Sequence, residues 1–263
     1  MAENQKHIIQ PATDSKAGFA KNPSLKFSEK IAAVPVTVHE LVQASGALPL
    51  AIAKLSDTRY QLVALLGLEP QQNLVLQENG NWRAFYVPTE LRLYPFGFAA
   101  VESSNDDQQR YAVCFEKGSD LYRDTPNEAA GESLFFDDQG KPTTQFAKVI
   151  ELLKQHNQAL NITGQAVTAI ASEGLLTPFQ LPDDGDGIKG IYRINEKALN
   201  ALDKEALERL HKTNALPVVY AQLFSMHNLR LLTRLKEMHA AATPDESLLE
   251  ELFGDGGDSL SFE

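Results

Sequence analysis

Sulfur is scarce in this chain of 263 residues, which holds one cysteine, Cys114. A single thiol excludes an intramolecular disulfide and a cysteine-rich zinc site, and it fits a reducing compartment. Basic charge is also short. The 24 Lys and Arg stand against 35 Asp and Glu, a formal net charge of −11. Nucleic acid and anionic membrane both need a basic face to release counterions, so neither is expected as a partner. Long apolar runs are missing. The longest, at 47–53 and 62–68, fall far short of the ~20 residues of a membrane helix, which excludes a permease. The first ten residues, MAENQKHIIQ, lack the apolar core of a secretory signal, so the expected location is the cytoplasm, with signal-independent export left open.

Common catalytic signatures are missing too. The chain has no Gly-x-Ser-x-Gly elbow, no Gly-rich phosphate loop ending in Lys-Ser/Thr, and no Gly-x-Gly-x-x-Gly fingerprint. None of the six histidines has the His-x-His or His-x-x-x-His spacing that puts two imidazoles on one side of an element. Asp183-Asp184-Gly-Asp186-Gly resembles the start of a calcium loop. Counted from Asp184, however, the twelfth position is Asn195 rather than a bidentate Glu, so a polar turn is expected. No motif specifies a cofactor. Cys114 has no base nearby in sequence and lies among Ala, Val and Phe, the setting of a buried small hydrophobe.

What is present divides the chain in three. Residues 1–30 are polar, with five Lys against three acids, and read as a mobile arm. Residues 31–242 form one domain. Residues 243–263 carry seven acids and no base. In that tail Leu248, Leu249, Leu252 and Phe253 make one apolar helical stripe, which reads as a docking peptide for a protein partner or as a solubilising end.

The first half of the domain reads as strands. Residues 48–55 and 60–68 are apolar on both faces, which suits strands buried between layers. Asn79-Gly80 marks a hairpin between 74–77 and 82–86. Residues 96–101 pair with 111–116, and a short helix or turn lies between Pro88 and Pro95. The second half reads as helix. One helix carries Phe146, Val149, Ile150, Leu153 and Leu160 and closes near Gly174. Strands follow at 175–181 and 188–194, then a helix capped by Asp203. A last long helix, 217–240, is apolar on two sides, with Tyr220, Leu223, Phe224, His227, Leu231 and Met238 on one and Val218, Leu229 and Leu232 on the other. No internal repeat is visible. The fold class is α+β, an antiparallel sheet largely from the N-terminal half packed by helices largely from the C-terminal half.

Candidate binding residues are Tyr86, Arg92, Tyr94 and Phe96 in the densest aromatic and proline segment, because aromatics with Arg are typical of hot spots. The alternative is that they pack the core. His227 joins them from its apolar helix stripe, against the alternative of a core histidine bonded to a backbone carbonyl.

Several segments in order resemble the SapC family of bacteria. They are Leu65-Leu-Gly-Leu-Glu-Pro-Gln-Gln-Asn-Leu74, then Trp82 to Phe96 with its Tyr-Pro-Phe, and Gly131-Glu-Ser-Leu-Phe135 leading to Gly140. Further on come Gly174-Leu-Leu176, Gly190-Ile-Tyr-Arg-Ile194 and Ala221-Gln-Leu-Phe-Ser-Met-His-Asn228. The likeness covers about 30–242. Leu93 stands where the family commonly has a second Arg, and Gln222 where it commonly has His. The resemblance implies an accessory role in a multi-protein system, since such proteins tend to be encoded beside halogenase-like proteins, cupin-like hydroxylases and outer-membrane uptake receptors. It implies no catalytic residue set.

The expected function is therefore a non-enzymatic binding or accessory protein acting through protein–protein interaction. Two alternatives stay open. One is an enzyme or a cofactor- or metal-binding protein with a site assembled from scattered residues such as Arg92, Tyr94 and His227. The other is a surface-layer component.

Overall fold

The computed structural model of the chain describes residues 6–21, 24–101, 110–116, 118–180 and 188–242. The chain opens with β1 (Lys6–Ile8), α1 (Pro11–Asp14) and β2 (Gly18–Phe19), followed by β3 (Ala33–Pro35), α2 (Leu41–Ala47), β4 (Leu50–Lys54) and β5 (Tyr60–Leu65). Next come α3 (Thr89–Leu93), β6 (Phe96–Val101), β7 (Arg110–Glu116), β8 (Tyr122–Arg123), β9 (Ser133–Leu134) and the long α4 (Thr144–Ser172). The rest is β10 (Leu176–Pro178), β11 (Ile191–Ile194), α5 (Glu196–Asn200), α6 (Lys204–Lys212), α7 (Ala215–Ser225) and α8 (Leu229–Ala242). The fold is α+β, with antiparallel sheets of order β10-β11-β4-β5-β3, β1-β7-β6 and β8-β2-β9.

Two cores hold these layers. The larger is aliphatic. Leu50, Ala51 and Ile52 are consecutive and fully buried, so both faces of β4 are covered, as an unbroken apolar run requires. Helices α4 and α7 pack against this sheet, and α2 packs on α7. The smaller core is aromatic. Phe19, Phe96, Phe115, Phe135 and Phe146 meet edge to face or stacked, with Phe96–Phe115 and Phe135–Phe146 centroids 5.0 and 5.1 Å apart. Such ring pairs add about 0.5–1.5 kcal/mol each beyond their burial. Helix α4 joins the two cores. The Thr143 side chain caps its first turn by accepting from the Phe146 N–H, and Gly174 at φ +68° ends it. Phe146 near its start enters the aromatic core, while Ala166, Val167 and Ile170 near its end enter the aliphatic one.

The arm expected to be mobile is built into the fold over its described residues. Strand β1 pairs with β7, β2 lies between β8 and β9, and Ile9, Ala17 and Phe19 are buried in the aromatic core. Its polar composition hid this, because only a few apolar side chains enter the core and the strands are two or three residues long.

The expected hairpin at Asn79-Gly80 shrinks to one bridge, Leu76 to Trp82, around Gly80 at φ +84°. This unit occurs twice, which corrects the expectation of no repeat. Sixty residues later Phe136 bridges Pro142 around Gly140 at φ +72°. The Gln77 N–H donates to Asn81 O at 2.8 Å, and the Asp137 N–H donates to Lys141 O at 2.8 Å. The Arg83 N–H donates to Val75 O, and the Thr143 N–H donates to Phe135 O. The shared sequence is Leu, two apolar residues, three polar residues and Gly, at 74–80 and 134–140. The first copy feeds the aliphatic core and the second the aromatic one.

The long last helix is divided into α7 and α8 by a tight turn, Met226–Asn228. The side of α7 that carries Val218, Gln222 and Ser225 is buried, whereas Tyr220 and Phe224 on the expected apolar stripe are 46% and 69% exposed. The reason lies in β4. Strand β11 pairs with Ala53 and Ile52 but stops short of Leu50. The Leu50 N–H then donates to Ser225 Oγ at 2.9 Å, and Gln222 Nε2 donates to Leu50 O at 3.1 Å. Gln222 Oε1 also accepts from the Ile194 N–H at 3.0 Å. Buried backbone polar groups must be paired, so a polar helix face stands in for the missing strand.

Candidate functional site

Between the first bridge and α3 the chain bends at Ala84 and Phe85, and its side chains alternate between core and solvent. Trp82, Ala84 and Tyr86 pack on the aliphatic core, while Arg83 and Phe85 face solvent. Phe85 is fully exposed, at 102% of its reference area. The segment is pinned from beneath. Trp82 Nε1–H donates to Tyr86 O at 2.8 Å. The Tyr86 hydroxyl donates to Glu40 Oε2 at 2.6 Å, and the Thr89 N–H and hydroxyl donate to the same oxygen at 2.9 Å each. The other oxygen, Oε1, accepts from the Thr37 N–H at 3.0 Å and the Thr37 hydroxyl at 3.2 Å.

Glu40 is 4% exposed. Burial alone would raise its pKa, but the donors prevail, Tyr86 first, and hold the carboxyl below its ordinary value. Tyr86 moves the other way, raised by burial and by the neighbouring carboxylate. A carboxylate with both oxygens engaged by donors anchors a loop and is a poor base. Arg92 completes the network from outside. Its Nη2 donates to Thr89 Oγ1 at 2.8 Å and Tyr86 Oη at 3.3 Å, and its guanidinium lies 5.6 Å from the Tyr86 ring centre. Helix α3 is tied to α4 by Glu90 and the buried His156, 2.7 Å apart.

Of the expected binding residues, the structure joins Tyr86 and Arg92 in this network and places the rest elsewhere. Tyr94 stacks on Phe27 at 3.8 Å. Phe96 packs between Phe19 and Phe115 in the aromatic core. His227 is exposed in the turn between α7 and α8, where its ring nitrogen bonds the Phe224 carbonyl. The expected backbone bond is thus present, but the core position belongs to His156 and not to His227, because the helix breaks there. Leu248, Leu249, Leu252 and Phe253 lie outside the described residues, as does the Asp183–Asp186 turn.

Four participants escaped the sequence reading: Glu40, Thr37, Thr89 and Phe85. Thr37-x-x-Glu40 is a capping-box spacing and was the available signal for the first. Alternation at Trp82, Ala84 and Tyr86 was the signal for the outward Phe85.

Cys114 is buried in β7, and burial raises its thiol pKa. It lines a cavity of about 460 Å³ with Tyr94, Phe96, Lys6 and Glu116.

A second buried carboxylate, Asp14, is 1% exposed. It accepts from the Gln10 N–H, the Thr13 hydroxyl and the Tyr122 hydroxyl, and lies 2.6 Å from His7 Nε2. Burial opposes ionisation here too, but these donors hold its pKa at about 2.

Together the fold and this network define an α+β protein with a buried-carboxylate latch under an exposed aromatic segment. The chain belongs to the SapC family, whose model matches residues 13–232. The match starts well inside the N-terminal arm, earlier than the resemblance in the sequence suggested. Comparison with the curated proteins and with the solved structures gives no match. Among the described residues, no helix is long and apolar enough to cross a membrane.

Proposed function

We propose that this chain is a non-enzymatic accessory protein that binds another protein through residues 83–92. The carrying observation is Phe85, a fully exposed ring on a segment pinned by buried hydrogen bonds. Burying a phenylalanine on a partner contributes about 1.5–3 kcal/mol. A segment already ordered loses little entropy on docking, so more of that gain reaches the affinity. Arg83 and Arg92 supply the cationic residues that accompany aromatic anchors in hot spots. The occupied oxygens of Glu40 and Asp14 also support a binding role over acid–base chemistry. The acidic tail, with Leu248, Leu249, Leu252 and Phe253, is a second proposed contact. The proposed setting is a cytoplasmic multi-protein system.

The test is quantitative capture of cellular proteins on wild-type, Phe85→Ala, Arg92→Ala and tail-deleted bait. Partners should fall away with Phe85→Ala and weaken with Arg92→Ala. An identical partner set on Phe85→Ala bait would remove the segment from the account, and an identical set without 243–263 would remove the tail. The cavity beside Cys114 favours a second reading, a small-molecule carrier. Native mass spectrometry of the purified protein separates the two, because a carrier arrives with a bound mass.

A further inference from the structure

A groove of about 950 Å³ runs between α4 and the outer end of β5. It shares no lining residue with the Phe85 segment. At its floor the sheet is one strand short. Strand β3 pairs with residues 63–65 of β5, and the Val36 N–H still reaches Leu62 O at 3.0 Å. In an antiparallel ladder alternate residues turn their N–H and C=O to the same side, so Tyr60 faces outward as Leu62 does. The residue that would pair with it, Val38, instead donates its N–H to Thr163 Oγ1 at 2.9 Å. Among the described residues no group takes up the Tyr60 N–H or C=O.

The wall is a row of amides. Asn157, Asn161 and Gln165 stand four residues apart on one face of α4. None of the three side-chain amides bonds to another described residue, whereas Thr168 and Ser172 further along return their hydroxyls to the helix backbone. Gly164 leaves the wall open where a Cβ would stand. Among the described residues Arg59 is the groove's one charged lining residue, and no carboxylate among them pairs with it.

Each Asn or Gln amide offers donors and an acceptor, the same complement as a peptide unit. From Asn157 to Gln165 the helix rises about 12 Å, the length of three or four extended residues. We propose that this groove binds an extended peptide of another protein. One of its residues would pair with the Tyr60 edge, the α4 amides would hold its other side, and a carboxylate would meet Arg59. The uncharged walls suit a main chain with few charges, and the open strand edge favours a peptide over an oligosaccharide, which has no use for it.

The experiment pans a phage-displayed random decapeptide library on the full chain and measures enriched peptides, made synthetically, by fluorescence anisotropy. Asn161→Ala with Gln165→Ala should weaken them at least ten-fold at an unchanged thermal midpoint, since both side chains are exposed and unbonded. N-methylation of alternate peptide amides should do the same, and hydrogen exchange at the Tyr60 amide should slow on binding. Phe85→Ala should leave these affinities alone, which separates this site from the proposed docking segment. Three results would overturn the peptide groove. They are no enrichment over the double variant, peptides indifferent to it, or an oligosaccharide array whose hits vanish in it.

Discussion

The larger core of this protein is aliphatic and is centred on β4 and β5, strands of five and six residues; the smaller is aromatic and joins the β6–β7 pair to strands of two and three. Each holds one copy of the same glycine turn and lies beside one buried carboxylate. The Glu40 carboxylate secures a loop that is partly exposed, while Asp14 secures the N-terminal segment against Tyr122. Long strands carry their own ladder bonds. Strands of two and three residues carry few, so β1, β2, β8 and β9 depend more on ring packing and on Asp14 to hold segments far apart in sequence.

That dependence is easiest to break at its centre. Phe135→Ala should cost about 3–5 kcal/mol, read by chemical denaturation, because the ring is fully buried among five others. Proteolysis should then cut residues 6–21 before the aliphatic sheet. Simultaneous loss of both regions would show that the cores are one cooperative unit.

Asp14→Asn comes next, at about 2 kcal/mol at neutral pH. The sign follows from its lowered pKa. The unfolded chain takes up the proton first as pH falls, so the stability Asp14 contributes is complete above about pH 4 and is lost down to about pH 2. The variant should lack that slope in an acid-unfolding series. Glu40→Gln should lose stability in the same direction, since its carboxyl is also held below the ordinary value. Its local signature differs, because amide exchange should speed at Thr89 and not at Gln10.

Much of the larger core was legible before any coordinates. The apolar runs of β4 and β5, the α4 periodicity, Gly174 and the Asp203 cap all stand as the sequence suggested. Of the smaller core the β6–β7 pair was legible and the rest was not, since a two-residue strand has no period and a lone buried Asp looks like any polar residue. The face of α7 misled for a related reason. Gln222 and Ser225 are buried to satisfy Leu50, a demand created by a strand end elsewhere in the fold. Of the candidate site, Tyr86 and Arg92 were visible as aromatic and Arg neighbours, but the carboxylate beneath them lies 46 residues away in sequence.

Smaller effects mark the edges of the comparison. Asp203→Ala removes an N-cap on α6 and should cost about 1 kcal/mol, without loosening either latch. Phe85→Ala should change stability by less than about 0.5 kcal/mol, because the ring touches solvent only, while partner capture drops.

The central claim is that the latched segment presents Phe85 to another protein. Site-specific photo-crosslinking tests it in living cells, with a photoreactive phenylalanine analogue at position 85 and, for comparison, at the exposed Leu152 of α4. The account predicts discrete adducts from position 85 that are absent from position 152 and fade when Glu40→Gln is added. No adduct at 85, or the same set from both positions, would contradict it.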